Sequence, residues 1–152
     1  MTRVAAIDCG TNSIRLLVAD GHIGEDGRPH LCDLTRQMRI VRLGQGVDAR
    51  GYLDPAAIER TVEATVEYQR MIEALGATRT RFVATSATRD ASNSADFVRQ
   101  IKAIIGVEPE VVVGTEEASL SFNGAVSGLG ESVTAPMLVV DIGGGSTELV
   151  LG

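Results

Sequence analysis

Two short stretches of this chain place a carboxylate at the end of an apolar run, directly before a turn of small and hydroxyl residues. The first is Asp8-Cys9-Gly10-Thr11-Asn12-Ser13, entered from Val4-Ala5-Ala6-Ile7 and left through Ile14-Arg15-Leu16-Leu17-Val18. The second is Asp141-Ile142-Gly143-Gly144-Gly145-Ser146, entered from Leu138-Val139-Val140 and left through Thr147-Glu148-Leu149-Val150-Leu151. A turn of small residues aims several backbone N–H groups at one point, and hydroxyls add donors, which makes a seat for an anion. A carboxylate beside that seat repels a bare phosphate, but a divalent cation held between the two turns repulsion into binding. Two such hairpins facing each other would grip a metal-phosphate from both sides. On this reading Gly10, Thr11, Asn12, Ser13, Gly143, Gly144, Gly145 and Ser146 hold phosphate oxygens. Asp8 and Asp141, with Glu148 nearby, hold Mg²⁺; Mn²⁺ would fit the same oxygen ligands. Either Asp alone could instead cap its own turn. The recurrence of the pair favours the cation, and three glycines exceed what a two-residue hairpin turn needs.

Between the hairpins lie two further chemical groups. Glu117 stands in Gly114-Thr115-Glu116-Glu117-Ala118, at the head of a predicted helix. A carboxylate there either complements the helix dipole in its first turn or orients and partly deprotonates a water for in-line attack on a phosphoanhydride. Glu116 is assigned the first role. Arg89 is a lone cation among the hydroxyls of Thr85-Ser86-Ala87-Thr88. Its bidentate, non-titrating fork suits a phosphate clamp; the alternative is a solvated charge or a salt bridge to Asp90. Arg15 alternates with core residues and reads as structural. Cys9 reads as a small buried residue with no nucleophilic role, and His22 and His30 as surface residues.

The elements that must position these groups follow from periodicity. Residues 3–20 form a hairpin, a polar turn covers Gly21 to Pro29, and a third strand runs from about His30 to Arg42. Leu43 to Gly51 reads as a flexible, glycine-punctuated connection. Asp54-Pro55 opens a helix, with Asp as N-cap and Pro at the first helical position. Ile58, Val62, Val66, Ile72 and Leu75 carry its apolar face, and Gly76 ends it. Arg81 to Ala84 is a short buried strand. Ser92 or Asn93 caps a second helix with Phe97, Val98, Ile101, Ile104 and Ile105 on one face, ended by Gly106. Glu110 to Val113 is the next strand, and the third helix runs to about Val126. A Gly/Ser/Glu loop, Ser127 to Pro136, leads to the second hairpin. Three antiparallel strands followed by helix–strand–helix–strand–helix is an α/β pattern whose polar residues gather at strand ends, where open sheets bind ligands.

Composition limits what this scaffold could do. Hydrophobic residues make up 44% of 152, enough for a full core. Aromatics are only 3% and the net charge is −6, which argues against a nucleic-acid surface built on base stacking and basic patches. No apolar run is long enough to span a bilayer, and the start lacks a signal-peptide layout. Cys9 and Cys32 show neither metal spacing nor a disulfide framework, so the expected setting is the reducing cytoplasm, with no membrane partner.

Taken together and in order, the Asp8–Ser13, Thr85–Ala91, Gly114–Ala118 and Asp141–Glu148 blocks resemble those of the exopolyphosphatase / guanosine pentaphosphate phosphohydrolase family. That family lies within the actin-like, sugar kinase and Hsp70 ATPase superfamily. The resemblance covers essentially the whole chain. It implies an actin-like (ribonuclease H-like) α/β lobe with a mixed five-stranded sheet over residues 1–126. The start of a second lobe is implied over 127–152, with the site in the cleft between them. Gly152 falls just after the second lobe's first hairpin, so the chain is expected to be the N-terminal portion of a longer protein. The resemblance also implies that Glu117 is the catalytic base and that the substrate is inorganic polyphosphate or pppGpp. A homodimer is expected for the full-length form. Ser119 stands where the family usually carries a basic residue, which leaves one substrate contact without its side chain. Rival readings are a sugar-kinase-like phosphotransferase and a nucleotide-binding regulator without catalysis. The apolar 137–151 hairpin is expected to pair with another copy or to pack on its own lobe.

Overall fold

A computed structural model describes residues 1–25, 27, 29–127, 129 and 134–152. Residues 128 and 130–133 of the loop expected between Ser127 and Pro136 lie outside the described residues, as do Asp26 and Arg28 of the turn expected over residues 21–29. Alternation in the first two strands sets the architecture. In β1 (Thr2–Cys9) the side chains of Ala5, Ile7 and Cys9 are buried. In β2 (Ser13–Ile23) Ile14, Leu16 and Val18 are buried on the same face. The intervening positions, Ala6, Asp8, Arg15 and Leu17, therefore share the opposite face, because successive strand residues point to opposite sides. The antiparallel register sets Asp8 against Arg15 and Ala6 against Leu17.

β3 (Pro29–Ile40) adds an antiparallel edge strand whose register shifts by one residue at Leu34, opposite Val18 and Ala19 of β2. β4 (Arg79–Ala84) pairs parallel to β1, and β5 (Glu110–Val111) parallel to β4. The five-stranded sheet has the order β3-β2-β1-β4-β5. Its buried face packs against α2 (Pro55–Leu75) and α4 (Ser94–Ile105) through Phe82, Phe97, Ile101, Tyr68 and Ile72. The Tyr68 hydroxyl donates to the carbonyl of Ile14 at 3.0 Å, which ties α2 to β2 inside the core. α5 (Gly114–Ser127) follows β5. The chain then forms a separate two-stranded antiparallel sheet of β6 (Leu138–Ile142) and β7 (Thr147–Leu151). Among the described residues no helix is long and apolar enough to cross a membrane.

Several local expectations hold, and others change for physical reasons. The Asp54 side chain accepts from the Ala56 amide at 2.9 Å, and Gly76 ends α2 at φ 70. The fully buried row of α2 is Ala57, Thr61, Thr65 and Tyr68, while Ile58 and Val62 sit half-buried beside it. Close approach to the sheet selects small side chains, and the Thr61 and Thr65 hydroxyls are satisfied by carbonyls four residues back. Asn93 occupies the N-cap position of α4 without capping it; its amide instead clasps both backbone groups of Leu53 at 2.8 and 3.0 Å. The 43–51 connection is packed rather than flexible. Leu43 and Leu53 are fully buried, and a short helix, α1 (Val47–Arg50), lies between them. β5 is two residues rather than four, and Thr85 to Asp90 contains a one-turn helix, α3 (Ser86–Arg89). The 137–151 hairpin packs on its own chain, with alternate positions turned inward and Leu138, Ile142, Leu149 and Leu151 exposed.

Candidate functional site

The two glycine hairpins are built to one pattern. Asp8 pairs with Arg15 across the first, and Asp141 pairs with Glu148 across the second, each seven residues on. Each turn is closed by one backbone bond, Gly10 N–H to Ser13 O at 3.0 Å and Gly143 N–H to Ser146 O at 2.9 Å. The Gly10 and Gly143 amides are thus engaged in closing their own turns. The tips are Thr11 and Asn12 in the first turn and Gly144 and Gly145 in the second, flanked by the hydroxyls of Ser13 and Ser146.

The tips meet face to face. A Cβ on Gly145 would lie 2.7 Å from Thr11 Oγ1 and 2.9 Å from Ser86 Oγ, and one on Gly144 would strike the Asn12 amide. Thr11 and Ser86 are themselves hydrogen-bonded through their hydroxyls at 2.9 Å. The first turn is braced from behind: Val41 and Arg42 donate to Asn12 O, and Gly44 donates to Thr11 O at 2.9 Å. A Cβ on Gly44 would run into the Thr11 methyl, so that glycine is required by close approach. A space of ≈ 40 Å³ remains among Thr11, Ser86, Asp90, Gly144 and Gly145, on the scale of one water.

Behind the tips opens a cleft of ≈ 760 Å³, lined among others by Asp8, Arg15, Thr85, Glu117, Ser121 and Asp141. Asp8 comes from the end of β1, Arg15 from the start of β2, Thr85 from just after β4, Glu117 and Ser121 from α5, and Asp141 from the end of β6. Glu117 is placed by the first turn of α5, where its amide and that of Glu116 both bond Val113 O at 3.0 Å. Its side chain is only 17% exposed. Burial, and then the nearby charge of Glu148, push its carboxyl above the usual carboxylate range; Arg89 and the Thr85 hydroxyl oppose the rise. Burial likewise raises the Asp8 carboxyl, Arg15 at 4.0 Å opposes, and Asp141 adds to the rise. Asp8, Glu117 and Asp141 thus line one cleft, with Arg15 beside Asp8 and Arg89 beside Glu117.

Arg89 is engaged inside the protein. Its Nη1 donates to Val112 O at 3.0 Å and reaches Glu117 Oε2 at 3.5 Å, while Nε lies 3.4 Å from Asp90. It holds the Glu117 side chain in addition to pairing with Asp90. Glu116 pairs with Arg81 at 3.4 Å. Cys9 is fully buried and its thiol is pushed far up by burial, which disfavours the thiolate a nucleophile needs. His22 and His30 are exposed and stacked on each other.

Among the described residues, no three His, Cys, Asp or Glu side chains form a ready-made metal cage. Asp8 and Asp141 line one cleft, with Glu148 on the strand beside Asp141. An oxygen-only donor set of one or two carboxylates, completed by phosphate oxygens and water, is what Mg²⁺ takes, so the residues present fit that ion. Sequence reasoning missed Arg15, Ser86 and Ser121. The hairpin repeat held the signal for Arg15, since it occupies the position that Glu148 occupies in the second copy. Helical spacing held the signal for Ser121, four residues after Glu117 and on the same helix face.

Comparison with known proteins bears on the whole of this arrangement. The model of the Ppx/GppA phosphatase family matches residues 22–152. The chain is similar to exopolyphosphatase 2 of Mycobacterium tuberculosis, 54% identical over 157 residues, covering 100% of this chain and 49% of that protein. It is similar in structure to an exopolyphosphatase-like protein, with a TM-score of 0.90 and 48% identity over 99% of this chain and 45% of the other. The Aquifex aeolicus member of the Ppx/GppA family gives a TM-score of 0.81 and 34% identity, over 99% of this chain and 47% of that one. The chain spans about half the length of the curated relatives it matches first, 49%.

Proposed function

This chain belongs to the Ppx/GppA phosphatase family, and we propose from that premise that its cleft serves the release of terminal phosphate from inorganic polyphosphate. The observation that carries the proposal is Glu117. A carboxylate with little exposure, its pKa raised by burial and by Glu148, faces a cleft that Asp8 and Asp141 also line. Such a carboxylate is matched to general-base work nearer neutral pH than an exposed glutamate.

In the proposed reaction, a water held by Glu117 attacks the terminal phosphorus in line with the bridging oxygen. Glu117 takes the water's proton, the P–O anhydride bond breaks, and inorganic phosphate leaves with a chain one unit shorter. Arg89 keeps the Glu117 side chain oriented through its 3.5 Å contact. Asp8, Asp141 and Glu148 would hold Mg²⁺, which when bound supplies charge neutralisation for the phosphate oxygens. Arg15, exposed on the cleft wall beside Asp8, is a further cation available to the substrate. The amides of Thr11, Asn12, Gly144 and Gly145 would receive terminal oxygens once the tips separate from their present contact.

The test is phosphate release in the presence of Mg²⁺ from polyphosphate, pppGpp and ATP side by side. Release from polyphosphate ahead of the others supports the proposal. Preference for pppGpp would reassign the substrate while keeping the same residues. Transfer of the ATP γ-phosphate to a sugar without phosphate release would overturn the hydrolase reading.

A further inference from the structure

Ser121 does something that a mid-helix serine seldom does. A helical serine ordinarily faces solvent or back-bonds to the carbonyl four residues earlier. Here its Oγ donates to Asp141 Oδ2 at 2.6 Å, across from α5 to the end of β6. That length is typical of a hydroxyl bonded to an ionised carboxylate. Ser121 is half-buried and lines the same cleft as Asp8, Glu117 and Asp141. It lies four residues, about 6 Å, along α5 from Glu117 and on the same face.

We propose that Ser121 is a positioning residue for the cation site, fixing the Asp141 carboxylate through Oδ2 and tying its position to the helix that carries Glu117. This rests on the cation reading of Asp141 given above. The bond restricts rotation of the carboxylate and leaves Oδ1 without that donor, open to a divalent cation. Because Glu117 and Ser121 share one rigid turn of helix, the same bond sets the spacing between the proposed base and the proposed cation ligand. Outer groups of this kind, hydrogen-bonded to a ligating carboxylate, typically govern metal affinity by about 10- to 100-fold.

A structural role for Ser121 predicts a different outcome, and the helix itself provides the contrast. Alanine is a better helix former than serine, so Ser121→Ala does not weaken α5 as a helix. Mn²⁺ binding to the wild-type chain is measured by titration calorimetry and electron paramagnetic resonance, beside Ser121→Ala, Ser121→Thr and Asp141→Asn. Ser121→Ala is expected to weaken Mn²⁺ by about 10- to 100-fold, with Tm lowered only slightly because the gain in helix propensity offsets part of the lost bond to Asp141. Ser121→Thr, which keeps the hydroxyl, restores affinity to within a few-fold of wild type, and Asp141→Asn abolishes binding. If Asp141→Asn loses Mn²⁺ and Ser121→Ala binds as wild type, the positioning role is refuted and the cation site stands. The role is also refuted if Ser121→Ala lowers Tm steeply and Ser121→Thr does not recover affinity. If the wild-type chain fails to bind Mn²⁺, or Asp141→Asn binds it normally, the cation reading falls and the role with it.

Discussion

Gly145→Ala isolates the contact between the two hairpin tips. Gly145 does not have a positive φ, so alanine meets no backbone penalty there. The cost is steric: the new methyl would lie 2.7 Å from Thr11 Oγ1 and 2.9 Å from Ser86 Oγ. Neither atom can yield alone, because the two hydroxyls are bonded to each other at 2.9 Å. Rotating them apart gives up a hydrogen bond worth about 1 kcal/mol, and overpacking at such a site typically costs about 1–3 kcal/mol. If the tips stay together, urea unfolding should show roughly 1–3 kcal/mol less stability. If the second hairpin lifts away instead, the nuclear Overhauser contact between residue 145 and Thr11 disappears. In a Thr11→Ala/Ser86→Ala background the same substitution should cost less than half as much. Gly144→Ala is the milder comparison, since the Asn12 amide it meets is the far end of a flexible side chain. Wild-type stability together with a retained 145–Thr11 contact would refute the tip-to-tip packing.

Other expectations follow from single groups. Arg89→Met removes the cation that opposes the raised Glu117 pKa. The acid limb of kcat/KM should therefore move to higher pH, because the base must be ionised to act; an unmoved limb in the pH–rate profile would contradict this. Glu117→Gln should be at least as stable as wild type near neutral pH. A carboxyl whose folded pKa is raised loses stability as pH rises through that pKa, so the difference should vanish below the ordinary glutamate range, as thermal melts across pH would show. Tyr68→Phe leaves the Ile14 carbonyl without its 3.0 Å donor inside the core and should cost about 1–3 kcal/mol by urea unfolding. Asp54→Ala removes the side-chain cap of α2 and should cost about 1 kcal/mol in the same assay.

Much of the scaffold was legible because local signals agreed with one another. Asp54-Pro55 and Gly76 bound α2, and Gly106 ends α4, as capping chemistry requires. The Asp-x-Gly repeat announced two hairpins of one design, and their registers match residue for residue. What stayed hidden depended on tertiary contact. Nothing local shows that the Gly10 and Gly143 amides close their turns, or that Gly44 must be small because Thr11 packs on it. The small buried row of α2 reflects closeness to the sheet, which periodicity in large apolar residues does not report. Arg15 alternates with core residues and so reads as structural, yet that alternation is what turns it away from the core into the cleft. Ser121 acquires meaning only once β6 is folded against α5.

Whether Glu117 orients the attacking water is decided by phosphate release from polyphosphate, compared between wild-type and Glu117→Gln protein. The amide is nearly isosteric and cannot accept the proton. With Glu117 as the base, kcat should fall by about 100- to 10,000-fold, while polyphosphate still binds and the fold is intact. Turnover by Glu117→Gln within a few-fold of wild type would contradict that role.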